Sequence, residues 1–195
     1  MNTGTISKQR PYRNFRPKFS LYHANAKGTG CALKMEMHPA LGDADGYFMV
    51  GLAGQLTVGD RRGAAPVYPT FDWNNAIYVK LDFSDITKML EVFRGMTESI
   101  EDGKGLFHSS ASGSTKIILR HIQEGGYSFD VYRSRVGGEG SVGAHFVLSP
   151  NEAYGLALAM EDSLGAICFG VPSVWCGEGR PSEQKPLEQK DVSAA

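Results

Sequence analysis

Cysteine is scarce in this chain, and the patterns that would bind a metal are missing. The three cysteines among 195 residues, Cys31, Cys168 and Cys176, form no CxxC pair and no Cys/His zinc spacing. An odd, widely spaced set argues for a reduced intracellular compartment rather than a disulfide framework. Cys31 and Cys168 sit in apolar runs and read as buried small hydrophobes. No apolar run approaches the roughly 20 residues that span a bilayer, and no signal-peptide apolar region is present.

Catalytic patterns are absent as well. The histidines His23, His38, His108, His121 and His145 are scattered and form no HExxH. Gly138 to Gly143 satisfies GxGxxG, but it leads into a strand, whereas a dinucleotide site needs a helix there. Gly103-Lys-Gly105 lacks the upstream glycine and the following hydroxyl residue of a P-loop. Asp43/Asp45 and Glu161/Asp162 read as solvated charges. No constellation meets the requirements of a catalytic site. The expectation is a non-enzymatic protein with no cofactor, no metal, no small-molecule substrate and no membrane partner. A cytoplasmic location is expected, nucleoid-associated in a bacterial host.

What the chain does have is one unit written twice. Ala76 to Phe83 is strand-like, Ser84 follows, and apolar side chains then fall at Ile86, Met89, Leu90 and Phe93, the spacing of one helix face. Gly143 to Leu148 is the second strand. Ser149 follows with Pro150 and Glu152, a capping box with proline at the first helical position. Ala153, Leu156, Ala157, Met160 and Leu164 carry that helix. Both serines are assigned as N-caps, and the helices are predicted over 84–94 and 150–164.

Each helix is preceded by several short strand-like runs. In the first half these are 18–24, 31–37, 46–52 and 76–82, with a Gly- and Pro-rich loop over 54–69. In the second half they are 98–100 or 106–109, then 114–122, 127–135 and 144–148. Gly125-Gly126 between two alternating runs marks a hairpin. The fold class is therefore α+β, two ββββα repeats built on antiparallel sheets.

Charge is unevenly placed. Seven of the 20 basic residues lie in 1–34, which holds no Asp or Glu, so the remainder carries 13 basic against 21 acidic residues. A basic arm at 1–19, an ordered domain at 20–171 and a polar, disordered tail at 172–195 are the expected divisions. A charged arm of this kind suits a polyanion, and it also serves simply as a soluble tail.

Three segments in this order resemble the Whirly family of single-stranded DNA-binding proteins. Lys27-Gly-Thr-Gly-Cys-Ala-Leu33 is similar to that family's Lys-Gly-Lys-Ala-Ala-Leu strand, with one extra residue and the second lysine replaced. Phe71-Asp-Trp73, followed by a strand and Ser84-Asp-Ile86, is similar to its aromatic-Asp-Trp segment before the first helix. Glu98-Ser-Ile100 with the later Phe107-His108 resembles its aromatic-His strand. The resemblance covers about residues 20 to 168. It implies a homotetramer, with helices packed at the oligomer centre and single-stranded DNA laid along the sheet edges and across adjacent sheets.

Single strands are held by cations that follow phosphates and by aromatic faces that stack bases. Lys27, Lys34, Lys80, Lys116, Arg120, Arg133 and Arg135 are candidates for the first role. Tyr22, Trp73, Tyr78, Phe107, His108 and Tyr132 are candidates for the second. Tyr78 and Lys80 are placed on one strand face, as are Lys116 and Arg120. Trp73, Phe107 and Tyr132 also suit a core position, and Lys80 and Arg120 suit the solvated side of a half-buried strand. The expected function is single-stranded DNA binding with little sequence preference, in DNA protection, replication, recombination or transfer. The alternatives are an RNA partner for the same fold, or a protein-interaction module that binds no nucleic acid.

Overall fold

The structure, a computed structural model, describes residues 17–171 apart from 61, 63, 64, 112, 124 and 136–139. The expected tail, Cys176 and the expected arm up to residue 16 lie outside the described residues, as do the first two residues of the GxGxxG stretch.

Strands β1 (Lys18–His23), β2 (Cys31–His38) and β3 (Tyr47–Thr57) pair antiparallel in that order. At 11 residues β3 is long enough for two further partners: β5 (Ile77–Leu81) along Phe48–Leu52, and the short β4 (Thr70–Phe71) at Gln55 and Thr57. Then come α1 (Phe83–Phe93) and a 3-10 turn over Ile100–Gly103. A second antiparallel sheet follows, formed in chain order by β6 (Leu106–Ser110), β7 (Gly113–His121), β8 (Tyr127–Arg135) and β9 (Ser141–Leu148), and α2 (Pro150–Phe169) closes the chain. This is the strands-then-helix plan, twice.

Period-two alternation gives each sheet an apolar inner face. Leu33, Met35, Val50 and Val79 of the first sheet join Ile117, Leu119, Phe129 and Phe146 of the second in one cluster. Ile86 and Met89 of α1 and Leu156 and Met160 of α2 belong to the same cluster. Full burial of each large apolar side chain contributes roughly 1.5–3 kcal/mol.

The two helix starts differ from one another. Ser149 caps α2 as expected, with Glu152 completing the capping box and Pro150 in the first turn. At α1 the cap is Asp82, not Ser84. Its carboxylate accepts from the Asp85 backbone N–H, and the Asp85 carboxylate accepts in return from that of Asp82. Two carboxylates at a helix N-terminus also oppose the positive end of its dipole, which one serine hydroxyl does not. Ser84 is thereby the second helical residue.

Other boundaries shift for identifiable reasons. Helix α2 runs five residues past the predicted end because Ile167 still reaches the core, and Gly170, at φ +77°, stops it. Cys168 is exposed on that added turn, contrary to the buried position expected for it. Cys31 is half-buried, and desolvation pushes its thiol up to about 11. The expected loop over 54–69 is shorter: β3 continues to Thr57, and Asp60 bridges Val67. The candidate strand at 98–100 is instead the entry to the 3-10 turn, where Ile100 is buried and Glu101 and Asp102 adopt φ of 49° and 52°. The second sheet opens at β6.

The first sheet is tied to α2 by His23. Its ring stacks on Phe146 at 4.3 Å, and its Nε2 donates to Glu152 Oε1 at 2.7 Å. Glu152 Oε2 meanwhile accepts from the Ser149 amide at 2.9 Å and from its hydroxyl at 2.8 Å. Partial burial pushes the Glu152 carboxyl up, but the hydrogen bonds from His23 and Ser149 outweigh it and hold the group below its usual range. A carboxylate depressed on folding adds stability above its unfolded pKa and loses it as pH falls through the folded value.

Two stability measurements follow from these contacts. In urea unfolding at pH 7, Asp82→Ala lowers stability by about 1 kcal/mol and Ser84→Ala by less than about 0.5 kcal/mol. Glu152→Gln is less stable than the wild type at neutral pH, and the difference closes as pH falls through the depressed folded value of the wild-type carboxylate.

Candidate nucleic-acid interface

Because the inner faces are consumed by the core, the chemistry of both sheets is pushed to their outer faces. On the first sheet the strand register sets Ser20, Lys34, Gly51 and Tyr78 in one row across β1, β2, β3 and β5. Gly51 gives this row its shape. A Cβ there would come within 2.7 Å of Tyr78 Cε1, so the missing side chain is the space in which the tyrosine ring lies. The Lys34 ammonium then stands 5.4 Å from the Tyr78 ring centroid and 5.0 Å from that of Trp73.

The flanks of this row are aromatic. On one side Ala32 and Ala53 are opposite one another and small enough for Phe71 to bury against them, with Trp73 packed alongside. Tyr22, 59% exposed, sits 5.4 Å from Phe71. On the other side Lys80 lies 4.5 Å over Tyr47, which stacks on His38 at 4.4 Å.

The second sheet repeats the arrangement. Phe107, Lys116, Tyr132 and Gly143 form one row across β6, β7, β8 and β9. Lys116 stands 5.2 Å from the Phe107 centroid, and Tyr132 leans over Gly143, where a Cβ would meet its Cδ1 at 3.0 Å. Phe107 is 65% exposed and Tyr132 44%. Exposed Arg120 shares this outer face, opposite Ser128. Each sheet therefore presents a lysine ammonium against an aromatic ring and a tyrosine seated on a glycine, with the rings half-buried or exposed. A cleft of about 330 Å³ opens between the end of β3 and β9, lined by Gln55, Asp72, Asn75 and Gly143 among others.

Lys27 stands apart, exposed on the β1–β2 turn. That turn is well held. The Asn25 side-chain oxygen accepts from the Lys27 and Thr29 amides, and Gln55 both accepts from the Asn25 and Gly30 amides and donates to the Asn25 carbonyl.

Two expected contact residues lie elsewhere. His108 is on the inner side of β6 with Leu106, and its Nε2 is 2.9 Å from Asp85 Oδ2 at the start of α1. Arg133 alternates with Tyr132, so it points away from the outer face, and its guanidinium donates to the Tyr78 backbone carbonyl across the gap between the sheets. Both are held by partners that a phosphate or base would have to displace. Arg135 ends β8, and its side chain lies outside the description.

Several residues of this surface carried no usable sequence signal. Tyr47 and His145 both face outward, but that phase is set by the register of β3 on β5 and of β8 on β9. Among the described residues no group of His, Cys, Asp and Glu is placed to hold a metal ion, and no helix is long and apolar enough to cross a membrane.

No family model matches the chain, and no curated protein does. Solved structures do. WHY1 from Arabidopsis thaliana superposes with a TM-score of 0.62 at 16% identity, over 80% of this chain and 87% of that one. MRP1/MRP2 from Trypanosoma brucei gives 0.54 at 16% identity, over 80% and 95%. A guide-RNA-binding protein complex bound to a gRNA gives 0.52 at 14% identity, over 76% and 90%. The chain has a Whirly-like fold, two antiparallel sheets and two helices in ββββα order.

Proposed function

We propose that this chain is a non-enzymatic, homo-oligomeric protein that binds single-stranded DNA with little sequence preference, serving DNA protection, replication, recombination or transfer. The observation that carries the reading is the matched pair of rows, Lys34–Tyr78 with Trp73 and Lys116–Phe107 with Tyr132. A lysine beside a ring meets a phosphate while the ring meets the adjoining base, and every base has a face to stack. The fold neighbours add support, since one of them is bound to a gRNA. That same neighbour favours the second reading, a single-stranded RNA partner for the same rows.

Fluorescence titration with labelled oligo-dT, the matching oligo-U and a DNA duplex tests both. Binding to oligo-dT above the other two supports the first reading, preference for oligo-U the second, and no binding at low salt overturns both. Tyr78→Ala and Tyr132→Ala each weaken single-strand binding by about 1–3 kcal/mol. Lys34→Gln or Lys116→Gln flattens the dependence of log K on log salt by about 0.7 per lost phosphate contact.

The oligomer is assigned to the outer side of α2. Tyr154, Leu158 and Phe169 are spaced along one stripe of that helix and are 69%, 41% and 90% exposed. Exposed apolar side chains on one side of a helix suit contact with further copies, a tetramer in the proposed arrangement. Light scattering after size exclusion should show the oligomer for the wild type and a folded, smaller species for Tyr154→Glu with Leu158→Glu. An unchanged mass would place the interface elsewhere.

A further inference from the structure

The outward-facing strand positions of the second sheet hold a single carboxylate, Asp130, and it is buried. Its side chain is only 7% exposed although it shares a face with Lys116, Arg120 and Tyr132. A buried carboxylate is costly unless its charge is met by hydrogen bonds or a partner. Neither Lys116 nor Arg120 is ion-paired with it among the described residues. Two other groups satisfy it: Ser128 Oγ donates to Oδ2 at 2.5 Å, and His145 Nδ1 lies 2.5 Å from Oδ1. An ionised carboxylate only accepts, so Nδ1 of His145 carries the hydrogen.

That assignment determines what His145 offers to solvent. With Nδ1 turned to Asp130, Nε2 is the free nitrogen, on a side chain that is 60% exposed. In the register His145 lies opposite Asp130 and two residues along β9 from Gly143, the seat of Tyr132. The imidazole therefore adjoins the stacking tyrosine, on the same outward face as Lys116. When neutral, Nε2 is an acceptor and repels a phosphate oxygen. When protonated, it becomes a cationic donor on the face that carries Tyr132 and Lys116.

The geometry points to His145 as a proton-dependent phosphate contact on the second sheet, oriented by Asp130. This rests on the single-strand-binding reading above and adds to it a residue and a dependence on pH. The charged and titratable groups that share the outward face with His145 are Lys116 and Arg120 of β7 and Asp130 and Tyr132 of β8. From the first sheet Leu52, Leu56 and Ile77 line the cleft against β9, with Asp72 as the charged group there. The two lysine and arginine charges do not change between pH 5 and 8, whereas an imidazole does.

The test is titration of the full chain with labelled oligo-dT at several salt concentrations, at pH 5.5 and pH 8. The wild type is compared with His145→Gln, whose amide fills similar space but does not titrate. The chain holds four other histidines, so the comparison between the two proteins is the measurement rather than the wild-type trend alone. For the wild type, affinity rises about two- to fivefold at pH 5.5 through this one exposed contact, and the salt slope steepens by about 0.7. In His145→Gln both increments are reduced by that amount. The Gln amide keeps a donor for the buried Asp130 carboxylate, and thermal melts at both pH values check folding. Asp130→Ala, which removes the acceptor that orients the ring, should reduce the increment. An identical pH response and slope change in wild type and His145→Gln overturn this inference and leave the binding reading standing. Absence of binding by the wild type at both pH values overturns the binding reading itself, and this one with it.

Discussion

One shared core, pressed between the inner faces of two antiparallel sheets and closed by two helices, is the constraint on which the rest depends. Leu33, Met35, Val50 and Val79 must face Ile117, Leu119, Phe129 and Phe146 simultaneously. The side-chain period of a strand is two, so a slip of β2 by one residue would exchange Leu33 and Met35 for Lys34 and Glu36. Burying those charges without partners costs far more than the slip could return. The core therefore specifies the register, and the register determines which cations and rings face outward together.

The outward surface is built by subtraction as much as by addition. Gly51 and Gly143 give their space to tyrosine rings, and Ala32 and Ala53 give theirs to Phe71. These small residues look dispensable when read singly. Placed across the sheet from large ones, they allow an aromatic ring to lie over the backbone instead of standing off it. Arg133 is withdrawn from this surface, its guanidinium bridging the two sheets through the Tyr78 carbonyl, whereas Lys34, Lys116 and Arg120 stay on the outer faces.

Much of the fold was legible in the chain. Ser149, Pro150 and Glu152 lie within four residues and define the start of α2 by local hydrogen bonding alone. Ile77, Val79 and Leu81 alternate with Tyr78 and Lys80, and the structure keeps that phase. Local competition was harder to judge. Asp82 outbids Ser84 as a cap because the reciprocal partner it needs is Asp85, and choosing between adjacent candidates depends on where the strand ends. The extension of β3 and the added turn of α2 were not legible, since each is stabilised by partners far along the chain, Thr70 and Phe71 in one case and the core around Ile167 in the other.

For the candidate site the division is sharper. Residue types and strand phase by themselves determined that this chain has outward cations and aromatics on antiparallel sheets and two amphipathic helices, because alternation and capping are local properties of a chain. Only the tertiary structure decided that Lys34 meets Trp73 and Tyr78, that Lys116 meets Phe107, that His108 turns inward to Asp85, and that His145 is held by a buried Asp130. Those partners are up to 44 residues apart, in the case of Lys34 and Tyr78. Their meeting is set by strand order and register, which are properties of the packed core and not of any one segment.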